Sequence, residues 1–262
     1  MRFVLAILFA AAGTFPAAAQ QPTDEWIFGA NGEDIVLELG GGALVRPAYE
    51  GADDYTLHPW PIVELRFLRL PVLGTFGGGP ETGLSFAPSF RFVEERDDDD
   101  YSELTGLGDV DFAFEAGGKV GYRQGMLRGF VAIRHGFGGH EGIVGEAGLD
   151  LIVAPTPSLE VSGGPRLSFA SDDYLDTYLG VTAAQSAASG LPVFDPDGGI
   201  KGVGVAGEAK YALTPRWSLV GEAGYERLIG DAADSPITDR GSENQFSAAI
   251  GLSYRFGLNL YD

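Results

Sequence analysis

Residues 245–256 read QFSAAIGLSYRF, and the alternation within them decides the fold class. In an extended chain, successive side chains point to opposite faces. Phe246, Ala248, Ile250, Leu252, Tyr254 and Phe256 therefore share one face, and Gln245, Ser247, Ala249, Gly251, Ser253 and Arg255 share the other. A wholly apolar face set against small and polar residues over about ten positions is the pattern of a strand that crosses a membrane in a barrel, with lipid outside and a polar lumen inside. A helix would instead repeat its apolar residues every 3.6 positions.

The same period of two recurs from Asp34 onward in segments separated by turn residues. In 109–122, Val110, Phe112, Phe114, Ala116 and Val120 oppose Asp109, Asp111, Glu115 and Lys119. Leu84, Phe86, Phe90 and Phe92 alternate with Gly83, Ser85, Ser89 and Arg91, and Val203, Val205, Ala209, Tyr211 and Leu213 with Gly204, Glu208 and Lys210. Segments 34–46, 60–67, 143–153, 158–169 and 216–227 behave alike. Two weaker segments, 68–76 and 174–182, and the less regular 126–137 bring the count to twelve. Between Phe67 and Leu68 the alternation changes phase, which marks either a tight turn or a bulge within one strand.

The expected fold is thus all-β, a transmembrane antiparallel β-barrel of twelve strands, with ten as the alternative if both weaker segments are loops. Such barrels have even strand numbers, short periplasmic turns and longer outer loops. Twelve strands with periplasmic termini put 46–55, 183–200 and 229–243 outside but leave the acidic stretch Glu94 to Gly108 in the periplasm, whereas ten move that stretch outside as well. A water-soluble sandwich would also alternate. Against it, the charges keep to one face, and aromatics collect near strand ends at Tyr122, Phe137, Phe169, Trp217, Tyr225 and Phe256, as in an interfacial girdle.

Residues 1–19 read as a secretory signal peptide. Arg2 supplies the positive start, Phe3 to Ala12 the apolar stretch and Ala17-Ala18-Ala19 the cleavage site, so that residues 20–262 form one barrel domain. No later segment approaches the run of about 20 apolar residues that a membrane helix needs. Cysteine is absent, so strand pairing and packing must hold the fold without disulfides. The formal charge is -20, and removal of Arg2 makes it one unit more negative. So acidic a chain is not a nucleic-acid binder. The expected location is the outer membrane of a Gram-negative cell, with outer-membrane lipid as the surrounding partner.

Asp97 to Asp100 could offer oxygen ligands to a divalent cation, but the spacing is not that of a calcium loop, and consecutive like charges usually stay hydrated. The three histidines are His58, His135 and His140, the last two flanking a glycine-rich turn close to Glu141. No G-x-S-x-G nucleophile motif accompanies them. No catalytic residue, cofactor site or metal site is assigned, and the protein is read as a non-enzyme. The inward faces carry Glu38, Glu64, Arg66, Arg91, Asp111, Glu115, Lys119, Glu146, Asp150, Glu160, Arg166, Glu208, Lys210, Glu222 and Arg255. A lumen filled by mutually satisfied ion pairs is preferred to a narrow cation-selective pore, because twelve strands leave little room beside long charged side chains.

Several stretches carry a family resemblance: RPAYEGADDY at 46–55, GLGDVDFAFEAG at 106–117, YLGVTAAQSAASGLPVF at 178–194, YALTPRWSLVGEAGYERLIGDAADSPIT at 211–238, and SYRF at 253–256. In these the chain resembles the MipA/OmpV family of outer-membrane proteins, and the run ending in GDAADSPI is the most specific. The family takes its name from a protein described as interacting with a murein lytic transglycosylase and a bifunctional peptidoglycan synthase. The resemblance therefore implies a scaffold linking cell-wall enzymes to the outer membrane.

Overall fold

The computed structural model describes residues 33–70, 74–76 and 82–259; the expected signal peptide lies outside them. Eleven strands form a single sheet: β1 (Ile35–Pro47), β2 (Tyr55–Leu70), β3 (Gly74–Phe76), β4 (Thr82–Val93), β5 (Ala113–Gln124), β6 (Leu127–Gly138), β7 (Ile143–Thr156), β8 (Leu159–Ala170), β9 (Gly199–Ala212), β10 (Trp217–Leu228) and β11 (Asn244–Leu258). Their order is β3-β2-β1-β11-β10-β9-β8-β7-β6-β5-β4, and the described ladders are antiparallel throughout. Following those reversals around the sheet, β3 and β4 run the same way and are two parts of one passage. The described residues therefore make ten passages, the smaller of the two expected counts.

The phase change after Phe67 is a bulge inside β2. Val36 faces Phe67 while Leu37 faces Leu65, so Arg66 is the extra residue and the strand continues to Leu70. The expected strand at 174–182 is instead helix α1 (Asp172–Leu179). Its residues Tyr174, Leu175, Tyr178 and Leu179 are buried. Tyr174 and Tyr178 suit a strand's alternation, but at a spacing of four they equally share one helix face. The expected strand from Asp109 begins only at Ala113. Val110 is 8% exposed and exchanges backbone hydrogen bonds with Arg96 (2.8 and 2.9 Å), so it does not meet lipid, and Asp109 and Asp111 lie in the preceding connection.

Outward-pointing Leu84, Phe86, Phe90, Phe92, Val131, Ile133, Leu149, Val205, Ile250 and Leu252 are exposed, as a lipid-facing wall requires. Tyr122, Trp217 and Phe256 at one end and Phe137 at the other are exposed aromatics of the interfacial kind. The two ends of the sheet meet differently from its interior ladders. Among the described residues β2 and β4 share no backbone ladder. His58 and Arg46 reach Glu94 just beyond β4. Pro59 and Pro61 lie in β2 and Pro88 in β4, where the absence of an N–H is tolerated on an edge.

The connections sort by length. At the end where β1 starts and β11 finishes, β5–β6, β7–β8 and β9–β10 are joined through Gly125 and Met126, Pro157 and Ser158, and Leu213 to Arg216. Every described helix lies at the opposite end: the 3-10 turn Ser102–Leu104, α1, α2 (Ala183–Ser189), α3 (Asp231–Asp234) and α4 (Pro236–Arg240). There Leu104, Leu107, Leu175, Leu179, Val181, Leu228 and Ile237 build a buried apolar cluster. The main hydrophobic core is therefore in this cap rather than inside the barrel. The cap also carries the charge. Connections 48–54, 94–112, 139–142, 171–198 and 229–243 contain 22 Asp and Glu against two Arg, Arg96 and Arg240, which equals the whole chain's net -20.

Candidate functional site

An isolated buried charge is expensive, so inward charges must find partners along or across the sheet. Glu115 on β5 is 0% exposed. Arg91 stands directly opposite it on β4, and Arg134 on β6 is diagonal to it, opposite Gly117. Cross-strand and diagonal neighbours are within reach of long side chains. Arg91 Nη2 donates to Glu115 Oε1 at 2.5 Å and Arg134 Nε to Oε2 at 2.9 Å. The same arrangement recurs one strand pair further on. Asp150 on β7 accepts from Arg128 directly opposite on β6 (Nη2, 2.8 Å) and forms an ion pair with Arg166 of β8 (Nη2, 2.6 Å), which stands opposite Gly148. On the other side of the lumen Glu38 receives Arg66 Nε at 2.9 Å, Lys210 from β9 and the Ser253 hydroxyl from β11.

Most of the inward residues expected from sequence thus fall into three networks centred on Glu38, Glu115 and Asp150. Glu208 and Glu222 stand directly opposite each other on β9 and β10, and among the described residues neither has a cation within ion-pair distance. Like charges in that position repel. Lys119 lies over the Phe130 ring, 3.9 Å from its centroid.

The three histidines do not converge. His58 sits beside Thr56 Oγ1 (2.6 Å) and Glu94. His135 is exposed on the outer face against Phe137, with ring centroids 4.9 Å apart. His140 is buried inside, its Nε2 3.3 Å from Glu115 Oε1 and its ring edge-on to Tyr174 at 5.0 Å. In the aspartate run, the Asp98 carboxylate accepts from the Gly106 and Gly108 N–H groups at 3.0 and 2.9 Å, where both glycines adopt positive φ (85° and 77°). Asp98 thereby organises its own loop. Among the described residues no group of three or more His, Cys, Asp or Glu is placed to hold a metal.

At the outer mouth, barrel and cap meet around residues that sequence reasoning did not single out. Glu50 receives Lys201 Nζ and the Tyr174 hydroxyl, each at 2.5 Å. Burial would push the Glu50 carboxyl up, but Lys201 beside it holds it below its ordinary value. Burial pushes the Tyr49 and Tyr178 phenols up to about 12. Lys201 and Glu50 are 151 residues apart and lie at the margins of irregular connections, so no period in the sequence pairs them.

An antiparallel ten-passage wall, apolar outside and ion-paired inside, defines an outer-membrane β-barrel protein. The chain belongs to the family described as "MltA-interacting protein MipA", which matches residues 39–256. It is similar to the MltA-interacting protein of Escherichia coli (strain K12), with 31% identity over 98 residues, covering 37% of this chain and 38% of that one. The MltA-interacting protein of Shigella flexneri matches to the same extent. These matches span well under half the length of either relative. Among solved structures, the outer membrane protein OprG from Pseudomonas aeruginosa overlays with a TM-score of 0.29 at 11% identity, over 86% of this chain and 97% of that one.

Proposed function

We propose that this chain is a non-enzymatic outer-membrane anchor, exported with its signal peptide removed, whose barrel is closed to solutes and whose periplasmic side holds a murein lytic transglycosylase, with a peptidoglycan synthase as a further partner. The observation that carries the anchor reading is the filling of the lumen: Glu115 and Asp150 are wholly buried and each is held by two arginines. An ion moving through would have to displace these charge-assisted pairs. The transglycosylase is suggested by the name of the relatives, MltA-interacting protein. Crosslinking of envelopes followed by recovery of the tagged protein should bring down a murein transglycosylase. Recovery of the barrel-assembly factors without one would remove that partner.

The facing pair Glu208 and Glu222 favours a second reading, a narrow cation-selective channel. Purified protein in planar bilayers separates the two: silence supports the anchor, whereas cation conductance that falls on Glu222→Gln supports the channel.

A further inference from the structure

Between the helical cap and the lumen lies a cavity of about 390 Å³, lined by Tyr49, Arg91, Arg96, Arg134, Tyr174 and Tyr178 among others. Its size falls within the range of small-molecule sites, roughly 300 to 1,000 Å³. Most of the cations along it are paired: Arg91 and Arg134 with Glu115, Arg166 with Glu146 and Asp150, and Lys201 with Glu50. Arg96 is different. It is 6% exposed, it has no carboxylate within ion-pair distance among the described residues, and the guanidinium hydrogen bond seen among them runs from Nη1 to the Tyr178 backbone carbonyl at 2.8 Å. Its guanidinium carbon lies 5.9 Å from the centre of the Tyr178 ring.

Three buried donor atoms along this cavity lack acceptors: Arg96 Nε, Arg91 Nε and the Tyr178 hydroxyl. A buried guanidinium without a counter-ion and a buried phenol without an acceptor are each costly. Glu50, Glu94, Glu95, Glu146 and Glu226 also line the cavity, but the unmet groups named here are all donors, and the Arg96 guanidinium has no carboxylate partner among the described residues. We infer that the cavity is a binding site for a small organic carboxylate, whose oxygens take the free donors of Arg96, Arg91 and Tyr178 while Tyr49, Tyr174 and Tyr178 receive its apolar part. The planar guanidinium matches a carboxylate in two-point geometry, and tyrosine walls favour a ring or short hydrocarbon over a bare inorganic ion. The site goes beyond the anchor reading and does not depend on it, because it opens at the outer mouth, away from the periplasmic turns.

The test is calorimetric titration of the full chain in detergent with benzoate, inorganic phosphate and benzylamine. Benzoate should bind, benzylamine should not, and phosphate should bind at least tenfold more weakly than benzoate. Arg96→Gln should weaken benzoate at least tenfold, whereas Arg216→Gln, at the opposite end of the barrel, should leave it unchanged. If Arg96→Gln does not fold, Tyr178→Phe, which removes one hydroxyl and little volume, should lower benzoate affinity severalfold. Absence of benzoate binding, binding equal to that of phosphate, or benzoate binding unaffected by a folded Arg96→Gln or by Tyr178→Phe would each overturn the assignment.

Discussion

The barrel wall and the cap that sits on its outer end solve the burial problem in opposite ways. In the wall the large apolar residues point out to lipid and the charges point in, where they cancel around Glu38, Glu115 and Asp150. In the cap the apolar residues point in and most of the charges point out, and the connections that build it sum to the whole formal charge of -20. One chain thus contains an inside-out half adapted to lipid and an ordinary water-soluble half, joined at a mouth where Lys201 meets Glu50. Lipid offers no hydrogen bonds, so polar groups in the wall must be satisfied within the protein. Water tolerates the acidic surface of the cap.

Four changes probe that division, from the largest expected effect to the smallest. Glu115→Ala strands Arg91 and Arg134 without their shared carboxylate, and removal of one member of a buried pair costs about 3 to 5 kcal/mol. Urea unfolding of the refolded barrel should show the loss. A change under 1 kcal/mol would mean that the lumen is wet and the wall's charges are solvated like those of the cap.

On the lipid face, Ile250→Arg should cost about 2 to 4 kcal/mol, as expected near the bilayer midplane. Ile250 is 59% exposed, whereas Ser253, three residues along the same strand, is 0% exposed. Because the natural chain has no cysteine, single cysteines at the two positions can be compared directly. A lipid-soluble thiol reagent should label position 250 and spare 253. Equal labelling would dissolve the distinction between the two faces.

The cap should loosen in alkali before the wall does. Burial raises the Tyr49 and Tyr178 phenols from 10.0 to about 12. Both phenols are neutral in folded and unfolded chains below pH 10, so their contribution is fully present there, and it is lost as the pH rises through about 12. Phenolate absorbance followed alongside protease sensitivity should show cleavage within 171–198 or 229–243 over that window while the strand signal persists. Loss of both signals together would make cap and wall one cooperative unit.

The smallest effect concerns α2, whose first turn is closed by a capping box. The Thr182 hydroxyl accepts from Gln185 N–H while the Gln185 side chain takes the Thr182 N–H. Thr182→Ala should cost about 1 kcal/mol. The cost should appear as faster proteolysis near 183–189, with no change in unfolding of the barrel.

The alternation of 245–256 and its recurrences was sufficient by itself to establish strands, their lipid and lumen faces and the outer-membrane class, because a period of two is a local property that each strand repeats without reference to its neighbours. The acidic character of the connections was also present in the residue order, but the end of the barrel that carries Glu94 to Gly108 depended on the strand count. Three things needed the tertiary structure. The strand count turned on a bulge at Arg66, and a bulge and a turn break the alternation in the same way. The segment 174–182 carries tyrosines at a spacing of four, which satisfies strand and helix alike, and only packing against Leu104, Leu107 and Ile237 selected the helix. The outer mouth joins Glu50, Arg96, Tyr178 and Lys201 from connections far apart in the chain. Such a site has no period to read, because its geometry comes from how irregular segments fold back over the barrel.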